Sequence, residues 1–221
     1  WRCILIGMIE QAICDRLAQG LGKMQTSVTT YGGELDDDLG KIVRRLPAVW
    51  VTFGGITGTE PYSLSKRQWR TTGSFAVIAG DYSTRDEQTS RQGGPRYNEV
   101  GTYNLIYAIR RLLTGQDLGL KMNPLKPTRV RTLFNTRLEA RAVSVFSLEF
   151  ETVWLEESLP CGAWPEPCDD TGNREHLFTK YRGRLAEPAP DLLCVGLRYN
   201  RTGVDPADAP EDLVKLRDKT P

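Results

Sequence analysis

The stretch GELDDDLGKIVRRLPAVWVTFGG, residues 33–55, sets four carboxylates, Glu34 and Asp36–Asp38, ahead of a helix-like run and an apolar strand. Acids at that density could do several things. A Mg2+ or Ca2+ site needs oxygen ligands converging in a suitable geometry, and this run lacks the spacing of a calcium-binding loop. A hydrolytic pair of Glu34 and Asp36 would need a cleft to set them across a scissile bond. The remaining reading needs no ligand. Negative charge in the first turn of a helix meets the unpaired N–H groups there, and Arg44 and Arg45 meet the carbonyl end. That helix entrance is the simplest account of three adjacent Asp residues.

Other chemistry is weakly signalled. The five cysteines stand at 3, 14, 161, 168 and 194. Their odd number and wide gaps do not suit a fully paired secreted scaffold. Cys161 and Cys168 could pair or share a metal, but neither belongs to a Cys-x-x-Cys ligand pair, and His176 is the sole histidine. A Cys168–His176 nucleophile pair would rest on geometry alone. Ser144 and Ser147 sit in a strand rather than at a nucleophile elbow. GGITGTEP, residues 54–61, lacks the Lys-Ser/Thr of a phosphate loop, and GGELDDDLG puts acid where phosphate would bind.

Cations and aromatics point towards contacts rather than catalysis. Arg129, Arg131, Arg137 and Arg141 flank a predicted hairpin, with Lys121 and Lys126 before it. Alternate strand positions share a face, so Arg129 and Arg131 are expected to point together. They could face DNA in a channel, pair with acids of another protomer, or line a solvated edge that discourages aggregation. Trp50 and Trp154 are expected as core or sheet-edge anchors, and Trp164, in an irregular proline-rich stretch, as an intermolecular plug or a local cap over the chain's own surface.

The elements that must position these residues follow from periodicity. Ile6, Ile9, Ile13 and Leu17 predict an amphipathic helix over 4–18, stopped at Gly20. SVTTY at 27–31 predicts a strand, residues 35–46 a second helix ending at Pro47, and AVWVTF at 48–53 a strand closed by a turn at Gly54-Gly55. A polar loop is expected over 56–69, a strand over 71–82, and a mobile loop over 83–96. Val100, Tyr103, Leu105, Ile106, Ile109, Leu112 and Leu113 mark a helix over 97–113. TRVRTLFNTR and ARAVSVFSLEFETVW then form a long hairpin that turns near Asn135 and Thr136. The order predicts an α+β domain over 1–157, a mostly antiparallel sheet backed by helices. Residues 158–221 read as an arm or small subdomain, ending in a loop and a short helix after 202.

The totals fit a globular chain. Of 221 residues, 39% are apolar and 26% charged, enough for one sizeable core. Twenty-nine Lys and Arg against 28 Asp and Glu leave +1, which removes any bulk argument for nucleic-acid wrapping. No stretch approaches the ~20 apolar residues of a membrane helix, and no signal-peptide pattern precedes the first helix. A soluble protein assembled in a reducing cytoplasm is expected.

Taken together, IEQAICDRL (9–17), YGGELDDDLGKIVRRLPAVWVTFGG (31–55), RRLLTGQDLGL (110–120), LKPTRVRTLFNTR (125–137) and AVSVFSLEFETVW (142–154) resemble the phage Mu-like gene product thirty-seven family, over roughly residues 6–156. The resemblance implies a tail-terminator-like virion protein of the tail or neck, with no cofactor and no turnover. Identical subunits would form a ring, commonly sixfold, that halts growth of the tail tube. Its partners would be tube protein, a head-closure or connector protein, and sheath protein, with DNA passing through the lumen without sequence-specific binding. Glu34, Asp36, Asp37 and Asp38 match the family's acidic entrance, and Arg44, Arg45, Arg110 and Arg111 its helix-end cations. These are candidate intersubunit contacts. Arg85 and Arg91 in the polar loop, with Arg129, Arg131 and Trp164, are candidate tube or connector contacts. The extension past residue 157 departs from the family pattern. A head-closure adaptor is the neighbouring alternative; an acid-dependent hydrolase and a DNA-binding protein are rivals from other classes.

Overall fold

The computed structural model describes residues 6–33, 46–63, 67–83, 91–92, 100–138, 141–187, 194–198 and 211–215. Two compact units divide the chain, one spanning Trp1–Cys161 and the other Gly162–Pro221.

The first unit opens with α1, Ile6–Leu21, followed by one 3-10 turn. Ile9, Ile13, Leu17 and Leu21 recur every fourth position and are buried. That spacing keeps them on one side of a 3.6-residue period, and burying each contributes about 1.5–3 kcal/mol. The helix runs through Gly20 rather than stopping there, because Leu21 extends the buried stripe by another turn.

Five strands follow: β1 (Ser27–Thr30), β2 (Ala48–Pro61), β3 (Gln68–Ser83), β4 (Lys126–Leu138) and β5 (Arg141–Glu157). Between β3 and β4 lies α2, Thr102–Leu113. The sheet order is β1-β2-β3-β5-β4, with β1 parallel to β2 and every other pair antiparallel. The fold is therefore mixed α and β, an open, mostly antiparallel sheet with packed helices, as the periodicity predicts. The predicted helix over 35–46 lies outside the described residues.

Alternation along the long strands separates two faces. Val49, Val51, Phe75, Val77, Leu148 and Phe150 turn towards α1 and α2 and form the main core. Trp50, Ile78, Val143 and Val145 belong to a smaller cluster on the opposite face, with Leu46 and Ala48. Trp50 and Trp154 are both 2% exposed, the anchors their strand context predicts.

Three local expectations are corrected. Gly54-Gly55 is not a turn: β2 continues through it to Pro61, with register shifts at Phe53/Gly55 and Ile56/Gly58. Gly55 takes φ 115°, open to glycine, so the strand absorbs an extra residue as a bulge instead of ending. Asn135 and Thr136 are not the hairpin turn either. They pair with Ser144 and Val143, and the chain reverses between Leu138 and Arg141. The β-branched and aromatic content of β4 and β5 extends the ladder past the Asn. Helix α2 begins at Thr102, after Gly101, rather than at Tyr97.

The second unit contains a short helix, α3 (His176–Lys180), and a two-stranded antiparallel sheet of β6 (Cys194–Arg198) and β7 (Glu211–Lys215). The helix expected near the C-terminus is instead a strand over Glu211–Lys215, paired with β6 at all five positions. Around α3 the Ala186 N–H donates to the Pro165 carbonyl at 2.8 Å, and the Cys168 N–H to Thr179 Oγ1 at 3.1 Å. No helix among the described residues is long and apolar enough to cross a membrane.

Candidate assembly surface

Helix α2 presents the best-defined outward surface. Thr102, Leu105, Ile109 and Leu113 are buried against the sheet and α1. The opposite side carries Tyr103, Tyr107 and Arg111 at successive i, i+4 positions, which stack along one stripe. Tyr103 is 47% and Tyr107 71% exposed. Tyr103 meets Phe146 of β5 edge-on, ring centroids 5.9 Å apart, which fixes its ring while leaving a face to solvent.

Both ends of this helix are pinned. At the start, buried Asp81 of β3 accepts the Gly101 N–H through Oδ2 and the Tyr82 N–H through Oδ1, each at 2.7 Å. Beside it the Thr102 and Ser144 hydroxyls share a hydrogen bond of 3.1 Å. A carboxylate at a helix N-terminus also meets the positive end of the helix dipole. At the far end Arg16 Nε of α1 donates to the Leu112 carbonyl at 2.6 Å. Arg110 and Arg111 lie in the same last turn, where cations oppose the partial negative charge. Arg111 is exposed and Arg110 half-buried.

A second surface is the edge of the sheet. Arg129 and Arg131 lie on β4, where Lys126 and Thr128–Leu133 are exposed. Arg131 forms an ion pair with Glu149 on β5 of its own chain. Exposed pairs of this kind contribute about 0–1 kcal/mol, so the pair orients the guanidinium more than it stabilises the sheet. Val130 and Leu133 are 38% and 48% exposed on the same strand.

In the second unit, Trp164 is 44% exposed and carries the Arg184 guanidinium 4.5 Å above its ring centroid. Arg91 lies half-buried in a short helical stretch at 91–92. Glu34, Asp36, Asp37, Asp38, Arg44, Arg45 and Arg85 lie outside the described residues. The described residues thus bring Arg110 and Arg111 together with two tyrosines on α2, and Arg129 and Arg131 together on β4.

Periodicity carried the signal for Tyr103 and Tyr107, which sequence reasoning did not select. Tyr103 counts there among the residues that mark the helix, but Leu105, Ile109 and Leu113 already fill the apolar stripe, and a position two residues from Leu105 falls on the other side.

Cys168 and His176 are not arranged as a nucleophile and its base. His176 Nδ1 lies 2.9 Å from the Cys168 carbonyl oxygen, not from its thiol, whose sulfur is 3.9 Å from the Asp170 carbonyl oxygen. Among the described residues no group of His, Cys, Asp and Glu side chains could hold a metal ion.

No curated protein sequence matches the chain. The family model described as bacteriophage Mu, Gp37 matches residues 5–155, which cover α1, α2, β1–β4 and all but the last two residues of β5. The chain belongs to the bacteriophage Mu Gp37 family, and is a structural protein of the virion tail or neck.

Proposed function

We propose that the chain is the tail terminator: a ring at the head-proximal end of the tail that stops tube growth and joins tail to neck. Family membership across residues 5–155 carries this reading. The surfaces on the first unit support it. A closed ring needs two different, complementary faces on each subunit. The Tyr103–Tyr107–Arg111 stripe and the cationic β4 edge lie on different elements and are chemically distinct. Tyrosine and arginine are the residue types that concentrate binding energy at interfaces.

In this reading residues 1–157 form the terminator-like domain and 158–221 an accessory arm. The carboxylates Glu34 and Asp36–Asp38 meet Arg44, Arg45, Arg110 and Arg111 of neighbouring copies, selecting register more than adding affinity. Arg85, Arg91, Arg129, Arg131 and Trp164 face tube, connector or sheath protein. No turnover and no cofactor are involved. DNA passes through the lumen without being read.

Cryo-electron microscopy of the particle neck tests this directly. The expected density is a ring of this chain, sixfold in symmetry, seated on the last ring of tube protein. A ring lodged between portal and terminator instead assigns the head-closure role, and absence of the chain from the neck overturns both.

A further inference from the structure

The last turn of α2 is held by α1 through both backbone and side chain. Carbonyls at a helix C-terminus lack partners within the helix and carry its partial negative charge. In α2 the Arg110 carbonyl accepts the Thr114 N–H at 3.0 Å, and the Leu113 carbonyl accepts the Gln116 N–H at 3.1 Å. The Leu112 carbonyl is reached from another element, by Arg16 Nε of α1 at 2.6 Å. The Leu112 side chain meets α1 as well: a Cβ built at Gly20 would sit 2.6 Å from its Cδ2 and 2.7 Å from its Cδ1. Arg16 and Gly20 are four residues apart and so share one side of α1. Together they grip the residue that directly follows Arg110 and Arg111.

The surroundings leave Arg16 to this task. The carboxylate beside it, Asp15, accepts from Gln11 Nε2 within α1 at 2.8 Å, and Arg16 is half-buried rather than exposed. Arginines in the last turn of a helix commonly fold back onto its final carbonyls. In α2 that place is taken from outside by Arg16, and Arg111 is exposed while Arg110 is half-buried. Fixing the backbone that carries two long side chains also lowers the ordering cost of using them in a contact.

We infer that Arg16, with Gly20 beneath Leu112, is a positioning residue for assembly: it caps α2 so that Arg110 and Arg111 are presented to a neighbouring copy rather than to their own helix end. The inference rests on the reading of α2 as an intersubunit face, and it assigns that face a control residue on a different helix. Arg16 acts through the two arginines, so both the strength of association and its salt dependence follow from it.

The test uses the full chain. Arg16→Met removes the charge and the donors while keeping much of the side chain's length, and Arg16→Lys keeps a charged donor. Each is made alone and in a chain that also carries Arg110→Ala and Arg111→Ala, since a residue acting through others loses its effect once they are gone. Sedimentation velocity over a concentration series, at low and high salt, reads association, and urea unfolding of the same samples reads folding. Arg16→Met is expected to weaken association several-fold and flatten its salt dependence, and Arg16→Lys to restore most of both. Neither change should alter association once Arg110 and Arg111 are alanine. Arg16→Met should instead cost more stability in that background, because no arginine remains to fold back onto the helix end. An equal loss of association in both backgrounds makes Arg16 a structural contact only and overturns the inference. So do equal stability costs in the two backgrounds, or an Arg16→Met chain that assembles like the native one; all three leave the terminator reading standing. Association that is indifferent to the loss of Arg110 and Arg111 removes α2 from the interface, and the inference falls with it.

Discussion

Trp154 of β5 lies against the bare backbone of Gly73 on β3: a Cβ built at Gly73 would sit 2.3 Å from the indole Cη2 and 2.6 Å from Cζ3. Neighbouring strands are thereby locked at the end of the helix-covered face. The Trp154 Nε1–H donates to Glu156 at 2.8 Å, and Met122 bridges to the same residue from the segment after α2. Gly73→Ala is expected to cost about 1–3 kcal/mol, because the buried ring has no room to withdraw. Trp154→Phe should cost stability by itself, yet the double variant should lose less than the sum, since the smaller ring clears the methyl. Urea unfolding of the two single variants and the double variant measures the coupling. Strict additivity would contradict the contact.

Thr71, opposite Trp154 in the ladder, is fully buried, and its Oγ1 has no hydrogen-bond partner among the described residues. A buried hydroxyl without a partner pays its desolvation with no return. Thr71→Val keeps the β-branch and removes that oxygen, so a gain of about 1 kcal/mol is expected. A rise in the urea midpoint with unchanged slope is the expected readout. A fall would mean that the hydroxyl is satisfied in solution.

The anchoring of α2 gives a local prediction. Asp81 accepts two backbone N–H groups through its two oxygens, and Asp81→Asn puts a donor where one acceptor stood. The loss is expected to be about 1–3 kcal/mol. It should open the first turn of α2 before the rest of the sheet. Hydrogen exchange should therefore quicken at Thr102–Leu105 more than in β3 or β5. Uniform quickening would argue against a specific tether.

The sheet and its helices were legible because burial imposes period: every fourth residue in α1, every second in β3 and β5. What the pattern could not show was where a ladder stops. Gly54-Gly55 and Asn135-Thr136 carry turn chemistry locally, but the ladder carries on past both, through a bulge where Gly55 faces Ser74 and in register where Asn135-Thr136 face Ser144-Val143. The Arg110-Arg111 pair was visible as a helix end. Tyr103 was legible only as a helix marker, because residue type alone does not say which side of a helix is already full. The acidic entrance drew the eye first, and its four carboxylates lie outside the described residues.

Cys14 gives a pH dependence. Burial, and then the charges of Glu10 and Asp15, push its thiol from the ordinary 9.0 up to about 11. The folded chain therefore keeps a proton that the unfolded chain releases above 9.0. Unfolding is favoured by that release, so the contribution to stability is full below 9.0 and is lost as pH rises towards about 11. Stability of the native chain should fall more steeply across this window than that of Cys14→Ala, even if the variant is less stable throughout. Thiol labelling in the folded state should also reach exposed Cys161 well before Cys14. Equal slopes, or equal labelling rates, would contradict the burial.

The α2 stripe separates folding from assembly. Tyr107 is 71% exposed, so Tyr107→Ala removes little buried area and should leave unfolding within about 0.5 kcal/mol of the native chain. If the stripe is an intersubunit face, the same change should weaken association by at least about 1 kcal/mol, as truncating an interface aromatic does. Arg111→Glu should weaken it further where the facing surface is acidic, and most strongly at low salt, since exposed charges are screened over about 10 Å at 0.1 M. Arg70→Ala is the control, because it lies outside both surfaces and its exposed pair with Glu60 is of little energetic weight. Mass photometry over a concentration series, read beside urea unfolding of the same samples, resolves the two effects. A Tyr107→Ala chain that unfolds normally and assembles normally would remove α2 from the interface, while leaving the family assignment untouched.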